Sequence, residues 1–185
     1  MNFFITGLPR SRTSWLANFF TYKGCYCFHE LGKYGKDYMQ LYDILRKKAD
    51  DYVGTADSMA PFYFEALTEM SNNKFRLVVI DRDPEDAYQS FLKSFRFEDS
   101  IEYRERFSAL QLLTENLIGK FNPMIVKFED LNDMQTMKNM WYHCCPELLF
   151  DEDRFKLLNE LKVEPYIEKY MANVNMDNVY SIIGG

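Results

Sequence analysis

The chain has 185 residues, a length typical of one domain that buries roughly 70% of its unfolded surface without disulfides or metal ions. Its composition, 47% hydrophobic and 27% charged, is that of an ordinary soluble globular protein, and the 17% aromatic share predicts an aromatic core. A net charge of −6 argues against a general nucleic-acid binder but leaves room for a local basic pocket.

The sequence carries no signal for a membrane or for secretion. No apolar run reaches the roughly 20 residues that span a bilayer, and the start MNFFITGLPR has no basic region before its apolar segment. We therefore expect a cytoplasmic protein whose cysteines are reduced and buried, since their spacing fits no standard zinc pattern. The cysteine and histidine side chains that could bind zinc are Cys25, Cys27, Cys144, Cys145, His29 and His143.

Short apolar segments alternate with helical ones along most of the chain. Strands are predicted at residues 2–6, 25–30, 52–57, 75–81 and 123–128. Helices are predicted at residues 13–22, at 37–48, after Pro61, from a cap at Asp83, and at 101–120. Thr13 or a neighbouring hydroxyl is expected to cap the first helix. From about Asp133 the sequence predicts two or three helices and a less regular tail.

This alternation predicts an α/β fold with a mainly parallel sheet of four or five strands, flanked by helices. Residues 1–185 are expected to form a single domain, with a core at 1–131 and a helical C-terminal third at 132–185. Ligands of such sheets bind beyond the carboxyl ends of the strands. Three chemically rich stretches follow predicted strands: GLPRSRTS, IDRDPEDAYQS and FHELGKY.

The loop GLPRSRTS joins the first strand to the first helix, an arrangement that binds phosphate in many α/β proteins. Gly7 lets the backbone approach a ligand, and Pro9 stiffens the turn. Compared with the kinase-type P-loop, Arg12 replaces the second glycine and Thr13 replaces the lysine. The loop therefore favours a smaller anion, bound without metal, over magnesium-ATP. Its side-chain donors are Arg10, Ser11, Arg12, Thr13 and Ser14.

A second basic element follows the strand FRLVVID. Arg82 comes directly after this strand, and Ser90 lies about two helical turns further along the chain. An arginine and a serine in these places can converge on one phosphate. The alternative is that Arg82 pairs with Asp81 or Asp86 on the surface.

Together these motifs resemble those of the sulfotransferases that use 3′-phosphoadenosine 5′-phosphosulfate (PAPS). The first loop of that family commonly reads Pro-Lys-Ser-Gly-Thr-Thr or Pro-Arg-Ser-Gly-Thr-Thr, and residues 9–14 here read Pro-Arg-Ser-Arg-Thr-Ser. A second family element, Arg-x-Pro-x-Asp with a later serine, resembles residues 82–86 and Ser90. Residues 128–131 are similar to a late Tyr-Glu-Asp-Leu segment. The resemblance covers residues 2–131 and implies a P-loop-like fold.

The resemblance also implies roles for the loop and for the second basic element. Loop amides and the side chains of Arg10, Ser11, Thr13 and Ser14 would bind the 5′-phosphosulfate, and Arg82 and Ser90 would hold the 3′-phosphate. Arg10 stands where many members have a lysine that stabilises the bridging oxygen; arginine supplies charge but no readily released proton. Arg12, in place of a family glycine, would either narrow the loop or add an anion contact.

Transfer also needs a base, which contributes roughly 10²- to 10⁴-fold. Glu30 is the first candidate, because several sulfotransferase branches place a catalytic glutamate just after the second strand; His29 is the second and Asp57 the third. Strand alternation points His29 and Glu30 to opposite faces unless the strand ends before Glu30. Asp57-Ser58 corresponds to an Asp-Lys pair in some members, so one lysine is missing. A glycine- and lysine-containing C-terminal motif is also absent, which leaves adenine unassigned.

The sequence thus predicts a metal-independent sulfotransferase that converts PAPS to 3′-phosphoadenosine 5′-phosphate (PAP). A P-loop nucleotide kinase and a catalytically inactive sulfotransferase-like binding protein are the alternatives. The acceptor is expected to be a hydroxyl or amine of a small molecule or glycan, with no nucleic acid or membrane as partner. The oligomeric state stays open. Aromatic residues that either line an acceptor pocket or belong to the core are Tyr34, Tyr38, Tyr42 and residues 62–64.

Overall fold

The computed structural model describes residues 2–72 and 74–160. The strands are β1 (Asn2–Gly7), β2 (Cys25–His29), β3 (Tyr52–Ala56), β4 (Phe75–Asp81) and β5 (Met124–Lys127). The α-helices are α1 (Thr13–Phe20), α2 (Tyr38–Lys47), α3 (Phe64–Met70), α4 (Pro84–Phe95), α5 (Ile101–Phe121), α6 (Met134–Cys144) and α7 (Glu152–Glu160). Short 3-10 turns lie at Leu31–Lys33, Ala60–Phe62 and Phe128–Asn132.

All neighbouring strands pair in parallel, in the order β2-β3-β1-β4-β5. The central strand β1 pairs with β3 on one side and with β4 on the other, so the direction of winding changes at β1. Ligands of open α/β sheets bind at such a switch point, beyond the carboxyl ends of the strands. The loop that follows Gly7 occupies this place.

Alternating side chains of β1 divide the core between the two faces of the sheet. Phe3 and Ile5 belong to one cluster, which contains aromatic residues of α1, α6 and α7 such as Phe19 and Trp141. Phe4 points to the other face and belongs to a cluster formed with α2, α3 and α5. The prediction of an aromatic core is confirmed. Its fully buried aromatic side chains are Phe3, Phe4, Phe19, Phe20, Tyr63 and Phe64.

The predicted fold class and all five predicted strands are confirmed within one or two residues of their expected ends. Asp83 caps α4, as predicted, by accepting a hydrogen bond from the Asp86 amide at 2.9 Å. Of the predicted helical C-terminal third, α6 and α7 lie within the described residues, whereas 161–185 lie outside them.

The expected hydroxyl cap of α1 is wrong. The N-cap residue is Arg12, in left-handed backbone conformation, and no side chain accepts a cap hydrogen bond. The hydroxyl of Ser14 instead lies 2.9 Å from the Nε2 atom of His29. The amide groups at the start of α1 are therefore not covered by a side-chain cap, which leaves that end of the helix suited to an external acceptor.

The four cysteines are buried free thiols, packed where β2 meets the end of α6. The Sγ atoms of Cys25 and Cys145 are 3.3 Å apart. Among the described residues, no group of three or more His, Cys, Asp and Glu side chains is arranged to hold a metal ion. No helix in this part of the chain is both long and apolar enough to cross a bilayer.

Candidate anion-binding site

Gly7 fixes the start of the loop by close packing. It is the last residue of β1 and pairs with Ile80 of β4. A Cβ atom at this position would lie 2.7 Å from the Ile80 carbonyl oxygen and 3.3 Å from the Ser11 Cβ atom. Only glycine fits here without displacing backbone. The close contact brings the loop against the carboxyl end of β4, directly before Arg82.

Two residues of the loop have left-handed backbone conformation. Arg10 has φ 73° and Arg12 has φ 60°, a region that non-glycine residues rarely occupy. The Ser11 amide donates to the Leu8 carbonyl at 3.2 Å, and the Leu16 amide donates to the Arg12 carbonyl at 2.9 Å. Left-handed residues are a feature of anion-binding nests, in which successive backbone amides turn toward one concavity.

Two polar atoms of the loop are buried without a partner among the described residues: Arg10 Nε and Ser11 Oγ. Ser11 is fully buried. A buried donor without an acceptor is costly, and native proteins tolerate few of them. Burial also lowers the pKa of the Arg10 guanidinium, which nevertheless stays charged at neutral pH. The loop thus offers donors for which this part of the chain provides no acceptor.

Arg82 joins the loop to the two later motifs. One of its terminal nitrogens, Nη1, donates to the Arg10 carbonyl oxygen, and its guanidinium lies 4.1 Å from the centre of the Phe128 ring. It forms no salt bridge with a described residue, so the pairing with Asp81 or Asp86 is not found. Burial lowers the pKa of Arg82, Asp86 opposes this, and the nearby charge of Arg10 lowers it further. Two guanidinium groups therefore lie close enough to repel each other.

The remaining residues predicted to bind the nucleotide are half-buried positions of the loop, of α1 and of α4. Pro9 and Thr13 are half-buried in the loop and at the start of α1. Ser90 is half-buried in α4, six residues after Pro84 and hence about 9 Å further along the helix axis. Their predicted roles stay predictions.

The candidate bases His29 and Glu30 lie together, because the strand ends before Glu30 and alternation no longer applies to it. Strand β2 ends at His29, and Glu30 has φ 56°, which turns its side chain back. Its Oε1 atom lies 3.5 Å from His29 Nε2, and its Oε2 atom accepts from Lys33 Nζ at 2.7 Å. Because Ser14 contacts the same imidazole nitrogen, a polar chain runs from α1 through His29 and Glu30 to Lys33. Lys33, three residues after Glu30, was not predicted.

Burial and neighbouring charges shift the pKa values of the two candidate bases, His29 and Glu30, in opposite directions. Burial and then the charge of Lys33, opposed by Asp57, together lower the pKa of His29 to about 4, so the imidazole is neutral at pH 7. The 3.5 Å contact is thus between a carboxylate and a neutral ring. Burial raises the pKa of Glu30, while Lys33 acts in the opposite direction. A carboxylate whose pKa moves toward neutrality is the better general base.

Asp57, the third candidate, is 1% exposed. Its carboxylate accepts hydrogen bonds from the Tyr63 hydroxyl at 2.5 Å, the Met59 amide at 2.7 Å and the Gly32 amide at 3.4 Å. Burial, and then the charge of Glu30, raise the pKa of Asp57. This geometry lets Asp57 fix the backbone next to Glu30 but gives it no path to an acceptor.

The aromatic residues that were predicted either to line an acceptor pocket or to belong to the core differ in their exposure. Tyr63 and Phe64 are core residues, whereas Tyr34 is 56% exposed. The remaining three, Tyr38, Tyr42 and Phe62, are half-buried. The ring centres of Tyr34 and Phe28 are 5.4 Å apart.

Neither a family model nor a curated relative matches the chain, but solved structures do. A sulfotransferase from Alicyclobacillus acidocaldarius superimposes with a TM-score of 0.56 at 14% identity, over 98% of this chain and 93% of that one. Mouse sulfotransferase SULT7A1 complexed with PAP superimposes with a TM-score of 0.55 at 12% identity, over 85% of this chain. The chain has a sulfotransferase-like P-loop fold. It spans 63% of the length of the mouse protein.

A shikimate kinase from Bacteroides thetaiotaomicron superimposes with a TM-score of 0.44 at 14% identity, over 86% of this chain and 96% of that one. This score is too low to support an argument for the kinase alternative. In the sulfotransferase-like P-loop fold, the anion loop, Arg82 and Glu30 all lie at the carboxyl ends of strands.

Proposed function

We propose that the chain is a PAPS-dependent sulfotransferase, which transfers the sulfuryl group to a hydroxyl or amine of a small molecule or glycan. The observation that carries the proposal is the meeting of three separate motifs: Arg82 donates to the Arg10 carbonyl and stacks on Phe128. These motifs are far apart in sequence and match the family in the same order. Their convergence on one loop supports a common ligand.

The loop fits the anionic end of PAPS. The unpartnered donors Arg10 Nε and Ser11 Oγ need acceptor oxygens, and a phosphosulfate supplies several. Arg82 and Ser90 are proposed to hold the 3′-phosphate, while Thr13 and Ser14 contribute hydroxyls beside the helix start. The charge of the arginines takes the place that magnesium and lysine hold in kinases.

PAPS, when bound, supplies an activated sulfuryl group. In the proposed step the acceptor oxygen or nitrogen bonds to sulfur, the bond from sulfur to the bridging phosphate oxygen breaks, and PAP leaves with the electron pair. Arg10 stabilises the negative charge on that oxygen. The acceptor proton goes to the Glu30 carboxylate, which Lys33 and His29 hold in place. Asp57 is proposed to hold the backbone next to Glu30 rather than to accept the proton.

The test is calorimetric titration with PAP in the presence of a chelator, compared with AMP and with magnesium-ATP. We expect PAP to bind in the micromolar range and AMP far more weakly, since AMP lacks the 3′-phosphate. Arg82→Ala should abolish this preference. Arg46→Ala is the matched control, because Arg46 is an exposed arginine of α2. Preference for magnesium-ATP would support the kinase alternative, and failure to bind any nucleotide would refute the proposal.

Turnover is tested with radiolabelled PAPS and a pooled panel of phenols, alcohols and amines. Glu30→Gln should abolish transfer while PAP affinity stays unchanged. If His29→Gln abolishes transfer and Glu30→Gln does not, His29 is the base. PAP binding with no transfer to any acceptor would favour the inactive binding protein.

A further inference from the structure

The side chain of Arg12 contacts residues outside the loop GLPRSRTS. Its Nη1 atom donates to Asn132 Oδ1 at 2.7 Å and its Nη2 atom donates to Asn159 Oδ1 at 3.2 Å. Its guanidinium carbon lies 4.4 Å from the centre of the Trp15 ring. The two terminal nitrogens and one face of the group are thus engaged outside the anion site. Arg12 was predicted either to narrow the loop or to contact the anion.

The contacts of Arg12 belong to a longer interface between α1 and α7. Arg154 donates to the Asn18 carbonyl at 2.6 Å, near the C-terminal end of α1. Trp15 donates from Nε1 to the Leu158 carbonyl at 3.0 Å, near the opposite end of α1. Helix α7 therefore runs antiparallel to α1, and its last described turn lies beside the anion loop.

We propose that Arg12 is a positioning residue: it holds the loop in its anion-binding conformation by joining it to Asn132 and Asn159, and does not contact the anion. The inference rests on the proposed function, because it assumes that this loop binds the nucleotide. The left-handed conformation at Arg12 is unfavourable for a residue with a Cβ atom. Two hydrogen bonds from a charged donor, together with stacking on an indole, offset that cost.

A conformational role of Arg12 and a direct anion contact predict different results for two substitutions at this position. If Arg12 acts through the loop, Arg12→Ala keeps the unfavourable backbone and loses the tether, whereas Arg12→Gly loses the tether but adopts the left-handed conformation freely. PAP should then bind more tightly to the glycine variant than to the alanine variant. If Arg12 contacts the anion, both variants lose the same charge, and binding in both becomes equally less sensitive to salt.

The tether is tested without changing Arg12. The double variant Asn132→Ala/Asn159→Ala should weaken PAP binding about 10-fold while its salt dependence stays that of the wild type. Asn139→Ala is the matched control, since Asn139 is an exposed asparagine of α6 that pairs only with Gln135 among the described residues. Unchanged PAP affinity in the double variant would overturn the inference while leaving the proposed function intact.

Hydrogen exchange tests the same inference without nucleotide. The Leu16 amide donates to the Arg12 carbonyl and the Ser11 amide donates to the Leu8 carbonyl, so both report the loop conformation. Exchange at these two amides should be faster in the double variant and in Arg12→Ala than in Arg12→Gly. Equal exchange in all variants and the wild type would refute the positioning role, even if the wild type bound no PAP. Circular dichroism verifies that each variant is folded.

Discussion

Replacing Gly7 with alanine tests the packing that positions the anion loop. The added Cβ atom would lie 2.7 Å from the carbonyl oxygen and 3.1 Å from the Cβ atom of Ile80, both parts of the neighbouring strand. Neither atom can rotate away, because β4 is an interior strand between β1 and β5 and Ile80 is 2% exposed. Strands β1 and β4 must therefore separate locally at their carboxyl ends.

Overpacking of this kind destabilises a protein by about 1–3 kcal/mol. In a chain of this length, each kcal/mol lowers the melting temperature by roughly 2–4 °C. We therefore expect Gly7→Ala to lower the melting temperature by roughly 2–12 °C. Because Ser11 also lies 3.3 Å from the new atom, the loop shifts, and PAP affinity should fall as well.

Gly119→Ala is the matched control for this prediction. Gly119 lies in α5, and no atom is found within 4 Å of a Cβ atom built there. Alanine should stabilise the helix by about 0.5–1 kcal/mol. Urea denaturation with melting curves measures both variants. If Gly7→Ala were as stable as the wild type and bound PAP equally well, the reasoning from close packing would be refuted.

Three further predictions concern single groups. The nuclear magnetic resonance signal of His29 should titrate with a pKa of about 4; because the folded chain takes up this proton less readily than the unfolded chain, stability should fall as pH drops from 6.5 toward 4, and His29→Gln should remove this part of the dependence. None of the four buried cysteines should react with iodoacetamide at about pH 8 in the native protein, and all should react in guanidinium; rapid native labelling would contradict their burial. Asp133→Ala should cost about 1 kcal/mol in urea denaturation, since its carboxylate accepts from the Thr136 amide at the start of α6; no loss would show that this cap contributes nothing.

Local patterns predicted the strands and the loop because both depend on short-range chemistry. A buried parallel strand needs a continuous apolar run such as FRLVVID, and a phosphate-type loop needs small and basic residues between strand and helix. The order of the strands was not predicted. Placement of β3 between β1 and β2 depends on pairings such as Ile5 with Ala56 and His29 with Ala56, which no local pattern encodes.

Two features of the site depend on left-handed backbone at residues other than glycine. Arg12 in this conformation stands where a hydroxyl cap of α1 was wrongly expected, and Glu30 in this conformation follows the end of β2 and lies beside His29. Backbone propensity alone argues against a left-handed conformation at an arginine or a glutamate. The pairing of Glu30 with Lys33 could have been inferred from their spacing of three residues, whereas the contact of Arg12 with Asn159 spans 147 positions and requires the complete fold.

The arginines of the site reconcile the proposed binding of an anionic nucleotide with the acidity of the protein. Overall the chain has a net charge of −6, yet Arg10 and Arg82 lie close enough to repel each other. The charges of Asp86 and Glu129 raise the pKa of Arg82, but neither carboxylate forms a salt bridge with it. Burial lowers the pKa of both arginines, so the charged forms are less favourable here than in water. On the proposed function, a bound phosphate or sulfate would remove the repulsion and provide acceptors for the unpartnered donors of the loop. Selectivity for a compact anion would then arise from this local arrangement, while the surrounding negative charge would disfavour long polyanions.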